Sequence, residues 1–197
     1  MRFIFLIIST LILLPAFSGI AADSLSPSVA KPAPVLTKAQ KLDGLFLDLK
    51  KAKSQAVAEG VARRIWEEWF DSSSASIDVL MQWANEAMQK QNYSVALDFL
   101  DQVVVLQPKY AEGWNRRATL HFVMNHYSKS MADIEKTLQL EPRHFGALSG
   151  MGQIFLALDK KELALKAYER ALDIYPMMRD VQKQVGEIAD ELAGSRI

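Results

Sequence analysis

Cysteine is absent from this 197-residue chain. That excludes disulfides, thiol catalysis, cysteine-ligated zinc, iron–sulfur clusters and a lipid-modified N-terminal cysteine. A surplus of one charge is absent too: Lys and Arg total 23, and so do Asp and Glu. Nucleic-acid binders and polybasic membrane-surface proteins are normally far more basic, so no nucleic-acid partner is expected. Glycine numbers only 9, and none of it forms a phosphate-cradling loop. The three histidines do not make a metal set. His121 and His126 diverge on a helix, His144 stands apart, and no H-E-x-x-H pair occurs. Ser149 lies in GALSGMG, inside a helical pattern and not at a strand-to-helix elbow. Carboxylate pairs such as Glu67-Glu68 and Asp190-Glu191 read as solvated helix faces. The expectation is a protein without catalytic residues, metal or cofactor.

What is present is ordinary globular composition, half hydrophobic and about a quarter charged. The N-terminus departs from it. Arg2 precedes an almost wholly apolar run, Phe3 to Phe17, followed by Ser18, Gly19, Ala21 and Ala22. Charge, apolar core and small-residue exit read as a secretory signal over residues 1–21, with Gly19 and Ala21 in the two small slots before cleavage. The rival is an uncleaved anchor, but fifteen helical residues rise only about 22 Å against a hydrocarbon core of about 30 Å. Residues 22–41, with Pro27, Pro32 and Pro34 among Ser, Ala and Lys, read as an extended linker.

A period organises the remainder, residues 42–197. Pro108, Pro142 and Pro176 stand 34 residues apart, each after an amphipathic apolar stretch. That is the length of one helix–turn–helix unit of a solenoid. In this register Ala84, Ala118 and Gly152 share a column where helices approach closely. Ala96, Ser130 and Ala164 form a second small column, and Leu100, Ile134 and Tyr168 a large apolar one. Asn92, His126 and Lys160 mark the turn inside each unit. The units are 77–110, 111–144 and 145–178. Counting back gives a degenerate hairpin, 43–76, with Phe46, Leu49, Ala62, Trp66 and Trp69 on apolar or small columns and Lys50 where a small residue belongs. Trp66 and Trp69, three apart on one helical face, are expected in the core. Beyond Pro176, Val181, Val185, Ile188 and Leu192 form one apolar stripe opposite a charged face, which reads as a capping helix over 178–195.

This pattern resembles the tetratricopeptide repeat family. The third unit carries it best, through Leu148, Met151-Gly152, Phe155, Ala164, Tyr168, Ala171 and Pro176. The second departs most, with Arg117 and His121 at normally apolar positions and Thr137 where Ala is usual. The resemblance implies an all-α, right-handed helical-hairpin solenoid with a C-terminal cap. It also implies a concave groove lined by the first helix of each unit. The groove residues would be Asp78, Met81, Asn85 and Met88; then Glu112, Asn115, Thr119 and Phe122; then Ser149, Gln153 and Leu156. Met81, Met88, Phe122 and Leu156 would make an apolar strip, edged by the negative charges of Asp78 and Glu112. Family members that clamp a chaperone's C-terminal carboxylate do so with Lys, Asn, Asn, Lys and Arg. Of these only Asn85 is kept; Met81, Arg116, Gly146 and Gly150 fill the other positions, so that mode is not expected.

The reading is a small exported bacterial adaptor. It would be periplasmic, or else secreted or anchored by an uncleaved N-terminal helix. It would take a peptide or amphipathic helix of another protein in the groove and would not contact membrane once the signal is removed. The alternatives are a self-associating scaffold, end to end or through Trp66, Trp69 and Phe70, and an accessory subunit of an envelope enzyme or assembly complex. Oligomeric state is left open.

Overall fold

The computed structural model describes residues 36–194. The expected signal and most of the expected linker lie outside the described residues. Among the described residues there are nine helices and no strand: α1 (Lys38–Lys51), α2 (Gln55–Phe70), α3 (Ala75–Gln89), α4 (Tyr93–Leu106), α5 (Ala111–Val123), α6 (Tyr127–Leu140), α7 (Phe145–Ala157), α8 (Lys161–Ile174) and α9 (Arg179–Gly194).

The repeat is written into the turns. Gln91, Asn125 and Asp159, again 34 residues apart, take left-handed backbone at φ 57°, 59° and 54°. In each case the next amide donates back to a carbonyl five residues earlier: Asn92 to Ala87, His126 to His121 and Lys160 to Phe155, all at 2.8 Å. This closes the first helix of each unit and satisfies carbonyls that the helix end leaves unpaired. The small columns then let the helices meet. Ala84, Ala96, Ala118, Ser130, Gly152 and Ala164 are all buried. At Gly152 a Cβ would fall 2.5 Å from the Tyr168 ring, so only glycine admits that ring. Three hairpins result, α3/α4, α5/α6 and α7/α8. They stack in order, α4 on α5 and α6 on α7, and α9 closes the end against α8. Val181 and Ile188 of α9 are buried there, and Lys161 pairs with Glu191 at 2.8 Å.

The second unit's polar departures have a structural reason. Arg117 donates through Nε and Nη2 to the two oxygens of Asp133 (2.8 and 2.7 Å) and through Nη1 to Asp101 of α4 (2.8 Å). His121 is buried beside the same carboxylate, and Ser130 Oγ donates to the Ala118 carbonyl at 2.7 Å. An ionic cluster replaces apolar packing between α4, α5 and α6. Burial lowers the His121 pKa, and Arg117, Lys129 and His126 push the same way, against Asp133. A histidine whose folded pKa is depressed binds its proton more readily when unfolded. Its contribution is therefore intact above the ordinary value of about 6.5 and is lost as pH falls below it. Thermal unfolding between about pH 7.5 and 5 should show a falling Tm that His121→Phe, the side chain of the matching Phe155, flattens. Parallel slopes in the two proteins would reject this.

Two expectations need correction. The linker does not run to residue 41, because Lys38–Lys41 already belongs to α1. Thr37 caps that helix: its Oγ1 accepts from Gln40 N (3.3 Å) while Gln40 Oε1 accepts from Thr37 N (2.9 Å). Lysines and an alanine after the prolines hid this start. The second correction is larger. The degenerate hairpin does not stack on α3/α4 as a preceding repeat. Leu42, Leu45, Phe46, Leu49, Ile65 and Trp69 form a cluster with Phe145 and Tyr175, joined by Trp66, Ile174 and Met178; no residue of α3 or α4 belongs to it. The α1/α2 hairpin is folded across the solenoid onto the loops before and after the third unit. Lys50, which could not enter a close-packed column, is exposed. The link Asp71–Ser74 carries no proline, and Ser73 takes φ 60°, which redirects the chain.

Candidate protein-binding groove

The inner faces of α3, α5 and α7 hold a run of hollows that share residues. Asp78, Met81 and Asn85 line the first, of about 330 Å³, together with Phe70 and Tyr110. Phe70 also belongs to the second and largest, of about 580 Å³, lined by Arg63, Trp66 and Glu67 from α2 and by Asn115, Arg116, Thr119 and Gly146. Asn115, Thr119 and Gly146 continue into a narrow passage with Phe122 and Gln153. Gln153 leads to the last hollow, of about 440 Å³, where Ser149 and Leu156 face Asp180 and Lys183 of α9. Nine of the eleven expected residues therefore lie along one continuous groove.

Its middle has a wall that the repeat pattern does not contain. Helix α2 faces α5 and α7 and is fastened by aromatic contacts. Trp69 stacks on His144 with ring centroids 4.0 Å apart, and Trp66 meets Phe145 edge-on at 5.5 Å. Trp66 lies so close over α7 that a Cβ on Gly146 would stand 2.7 Å from its ring. The position at which clamp-type members carry lysine is glycine here because an indole covers it. Tyr110 donates from its hydroxyl to the Phe70 carbonyl at 2.9 Å, and the Arg116 guanidinium sits over the Phe70 ring. On the other side Arg143 pairs with Asp43 of α1 at 2.7 Å and lies over Phe46. Trp69 is thus spent within the chain, which removes it from the self-association surface considered above, whereas Trp66 is half-buried and opens onto the groove.

Two expected groove residues are reassigned. Glu112 is no acidic rim. It is buried, and its carboxylate collects three donors: Asn115 Nδ2 at 2.9 Å, Arg116 Nη2 at 3.1 Å and His144 Nε2 at 3.1 Å. The His144 geometry is fixed from the other nitrogen. Nδ1 accepts from Ala147 N at 3.1 Å as the cap of α7, so Nε2 carries the hydrogen that reaches Glu112. Met88 packs half-buried against the α3/α4 core and lines none of the hollows. Met81 is itself a core residue, touching the groove only by its edge, and Asn115 and Ser149 are largely buried in the groove floor.

The residues missed by sequence reasoning are those of the second wall: Arg63, Trp66, Glu67 and Phe70, with Arg116 and Gly146 opposite. Periodicity carries no signal for them, because they answer a single long-range contact. The one local sign was Lys50, which marks α1 as unfit for regular stacking. The groove offers two aromatic faces, the guanidinium groups of Arg63 and Arg116, the Glu67 carboxylate and the Thr119 hydroxyl. It suits an apolar side chain flanked by polar or charged groups. Among the described residues no cluster of His, Asp and Glu could hold a metal, and no helix is long and apolar enough to cross a membrane.

Comparison with known proteins agrees with this architecture. A tetratricopeptide repeat model matches residues 146–176, the unit in which the sequence pattern is most complete. A TPR repeat-containing protein of Rhizobium etli is 54% identical over 157 residues, which cover 80% of this chain and 77% of that protein. Small glutamine-rich tetratricopeptide repeat-containing protein 2 of Saccharomyces cerevisiae is 30% identical over 117 residues, 59% of this chain and 34% of its own length. Among solved structures, the first TPR domain of Spaghetti (RPAP3), bound to the HSP90 peptide SRMEEVD, superposes with a TM-score of 0.57 at 25% identity. That match covers 59% of this chain and 93% of the other.

Proposed function

The chain belongs to the tetratricopeptide repeat family, whose members are protein–protein interaction adaptors, and on that premise we propose that it is an exported, non-enzymatic adaptor of the cell envelope. Its groove holds a segment of another envelope protein, an extended peptide or one face of a helix. The observation that carries this reading is the continuous groove walled by α2, α5 and α7, with exposed Phe70 at the junction of its first two hollows. The RPAP3 domain, which shares the fold, carries its HSP90 peptide in the complex named above; the chaperone-tail mode is not carried over, since the clamp residues are missing here. The envelope setting rests on residues 1–21 and on their charge, apolar core and small-residue exit.

The test is a photo-crosslinking side chain at Thr119, which is exposed on the groove floor, introduced in the native cell. A dominant adduct with one envelope protein is expected. Phe70→Glu should reduce it about tenfold or more, because an aromatic anchor at the centre of an interface is a hot spot. Circular dichroism should stay unchanged, since Phe70 is 44% exposed at the end of α2, its carbonyl bond to Tyr110 is kept, and its ring contacts with Trp66 and Arg116 lie at the surface of the groove. An adduct indifferent to Phe70→Glu would reject the groove. N-terminal sequencing of the chain recovered by osmotic shock should begin at Ala22; a cytoplasmic chain beginning at Met1 would reject the envelope setting.

A further inference from the structure

The folding of α1/α2 across the solenoid leaves the other end of the stack bare. In the second unit, the face of the hairpin that carries Arg117 and Asp133 is covered by the preceding α4, as the Arg117–Asp101 bond shows. The same positions in the first unit are Trp83 and Phe99, with ring centroids 5.5 Å apart. The helix that would cover them is α2, and α2 is packed elsewhere. Trp83 is 47% exposed and Val79, one turn before it, 40%; on α4, Val95 is 36% and Leu106 65% exposed, with Val105 beside it at 76%. The spacings place Val79 and Trp83 on one stripe of α3, and Val95, Phe99 and Leu106 on one stripe of α4. Exposed apolar side chains gathered on one face of two adjacent helices mark an interaction surface.

We propose that this face is where two copies of the chain join, end to end about a twofold axis, independently of what the groove binds. The opposite end of the solenoid cannot supply the complement. Helix α9 turns Lys183, Glu187, Asp190 and Glu191 outward, all exposed, so head-to-tail stacking would set charge on hydrocarbon. Between the two ends of the stack, the bare end finds its match in a second bare end, which is the self-complementary arrangement a twofold dimer requires. A stable interface buries roughly 1,200–2,000 Å² in all, with an apolar centre inside a polar rim. The rim holds both signs, Glu86 and Asp98 with Lys90, and the chain's net charge is zero, so like charge does not hold the copies apart.

Sedimentation equilibrium of the full chain, up to about 100 μM, is expected to give the dimer mass. Trp83→Glu should weaken the dimer by roughly thirtyfold or more, as loss of a central aromatic does, while leaving the helical signal intact. Because the chain has no cysteine, a single one reports burial. Val79→Cys, in the patch beside Trp83, should react with a thiol label more slowly as protein concentration rises, and Val123→Cys, exposed on another helix, should react at one rate throughout. A monomer at every concentration would overturn the proposal and leave the face to another protein or to residues 1–35. A dimer indifferent to Trp83→Glu, or labelling of Val79→Cys that ignores protein concentration, would overturn it as well.

Discussion

Replacing Asp133 by alanine should cost the protein about 3 kcal/mol or more, while replacing Arg117 and Asp133 together should cost far less. Asp133 is buried and receives two hydrogen bonds from Arg117, whose side chain is only 19% exposed. Removing the carboxylate leaves a guanidinium beside His121 with only the exposed Asp101 as a counter-charge and the Trp114 ring beneath it. Breaking a buried pair on one side typically costs about 3–5 kcal/mol, whereas exchanging the whole pair for apolar groups of fitting volume is often neutral. The chain itself supplies the exchange. At the same positions in the third unit stand Met151, packed half-buried against the core, and Ala167, buried, neither of them charged. Arg117→Met with Asp133→Ala should therefore come within about 1.5 kcal/mol of the parent. Urea unfolding of the parent, both single variants and the double variant measures the coupling. If Asp133→Ala alone stays within about 0.5 kcal/mol of the parent, the cluster is solvated and holds nothing together.

The contrast between these two units explains what could be read from the sequence. Pro108, Pro142 and Pro176, the small columns and the Leu100, Ile134 and Tyr168 column are local and repeated. Each is dictated by contacts within one hairpin or between neighbours, so three imperfect copies reinforce one another, even where Arg117 and His121 break the pattern. The side of α5 and α7 that forms the groove floor follows from the same register, which is why Asn115, Thr119, Phe122, Ser149, Gln153 and Leu156 fall on it. The docking of α1/α2 has no such redundancy. It depends on Trp66 finding Gly146 and on Asp43 finding Arg143 across 100 residues, each once. Register also says nothing of what lies on top. Glu112 occupies a groove-facing position, as its place in the repeat requires, yet the loop bearing His144 and the packing of α2 cover it. A position rule assigned it to the surface, and a unique tertiary contact buried it.

That burial makes Glu112 the residue on which the second wall depends, and Glu112→Ala should cost about 3–5 kcal/mol and release the hairpin. Its carboxylate joins three parts of the molecule: Asn115 of the groove floor, Arg116 beneath the Phe70 ring, and His144, on which Trp69 is stacked. With alanine, His144 Nε2–H and Asn115 Nδ2 lose an acceptor in a closed site, each at about 1–3 kcal/mol. The stack of Trp69 on His144 then rests on an imidazole that is no longer held in place. Glu112→Gln should lie between. One amide oxygen can still accept from Asn115 and His144, but the amide nitrogen turns donor against donor at Arg116, a loss of about 1.5–3 kcal/mol for one charged hydrogen bond. Hydrogen exchange resolves the outcome by region. In Glu112→Ala the amides of α1 and α2 should exchange much faster while α7 and α8 keep most of their protection, and tryptophan fluorescence should shift to the red as Trp66 and Trp69 meet water. Capture at Thr119 should fall in the same variant, because half of the groove's central wall leaves with α2. Unchanged protection of α1 and α2 would mean that Arg143–Asp43 and the aromatic contacts alone fasten the hairpin. Protection lost while capture persists would mean that the ligand needs only the floor of α5 and α7. The two readouts thus separate the carboxylate's role in the fold from the second wall's role in binding.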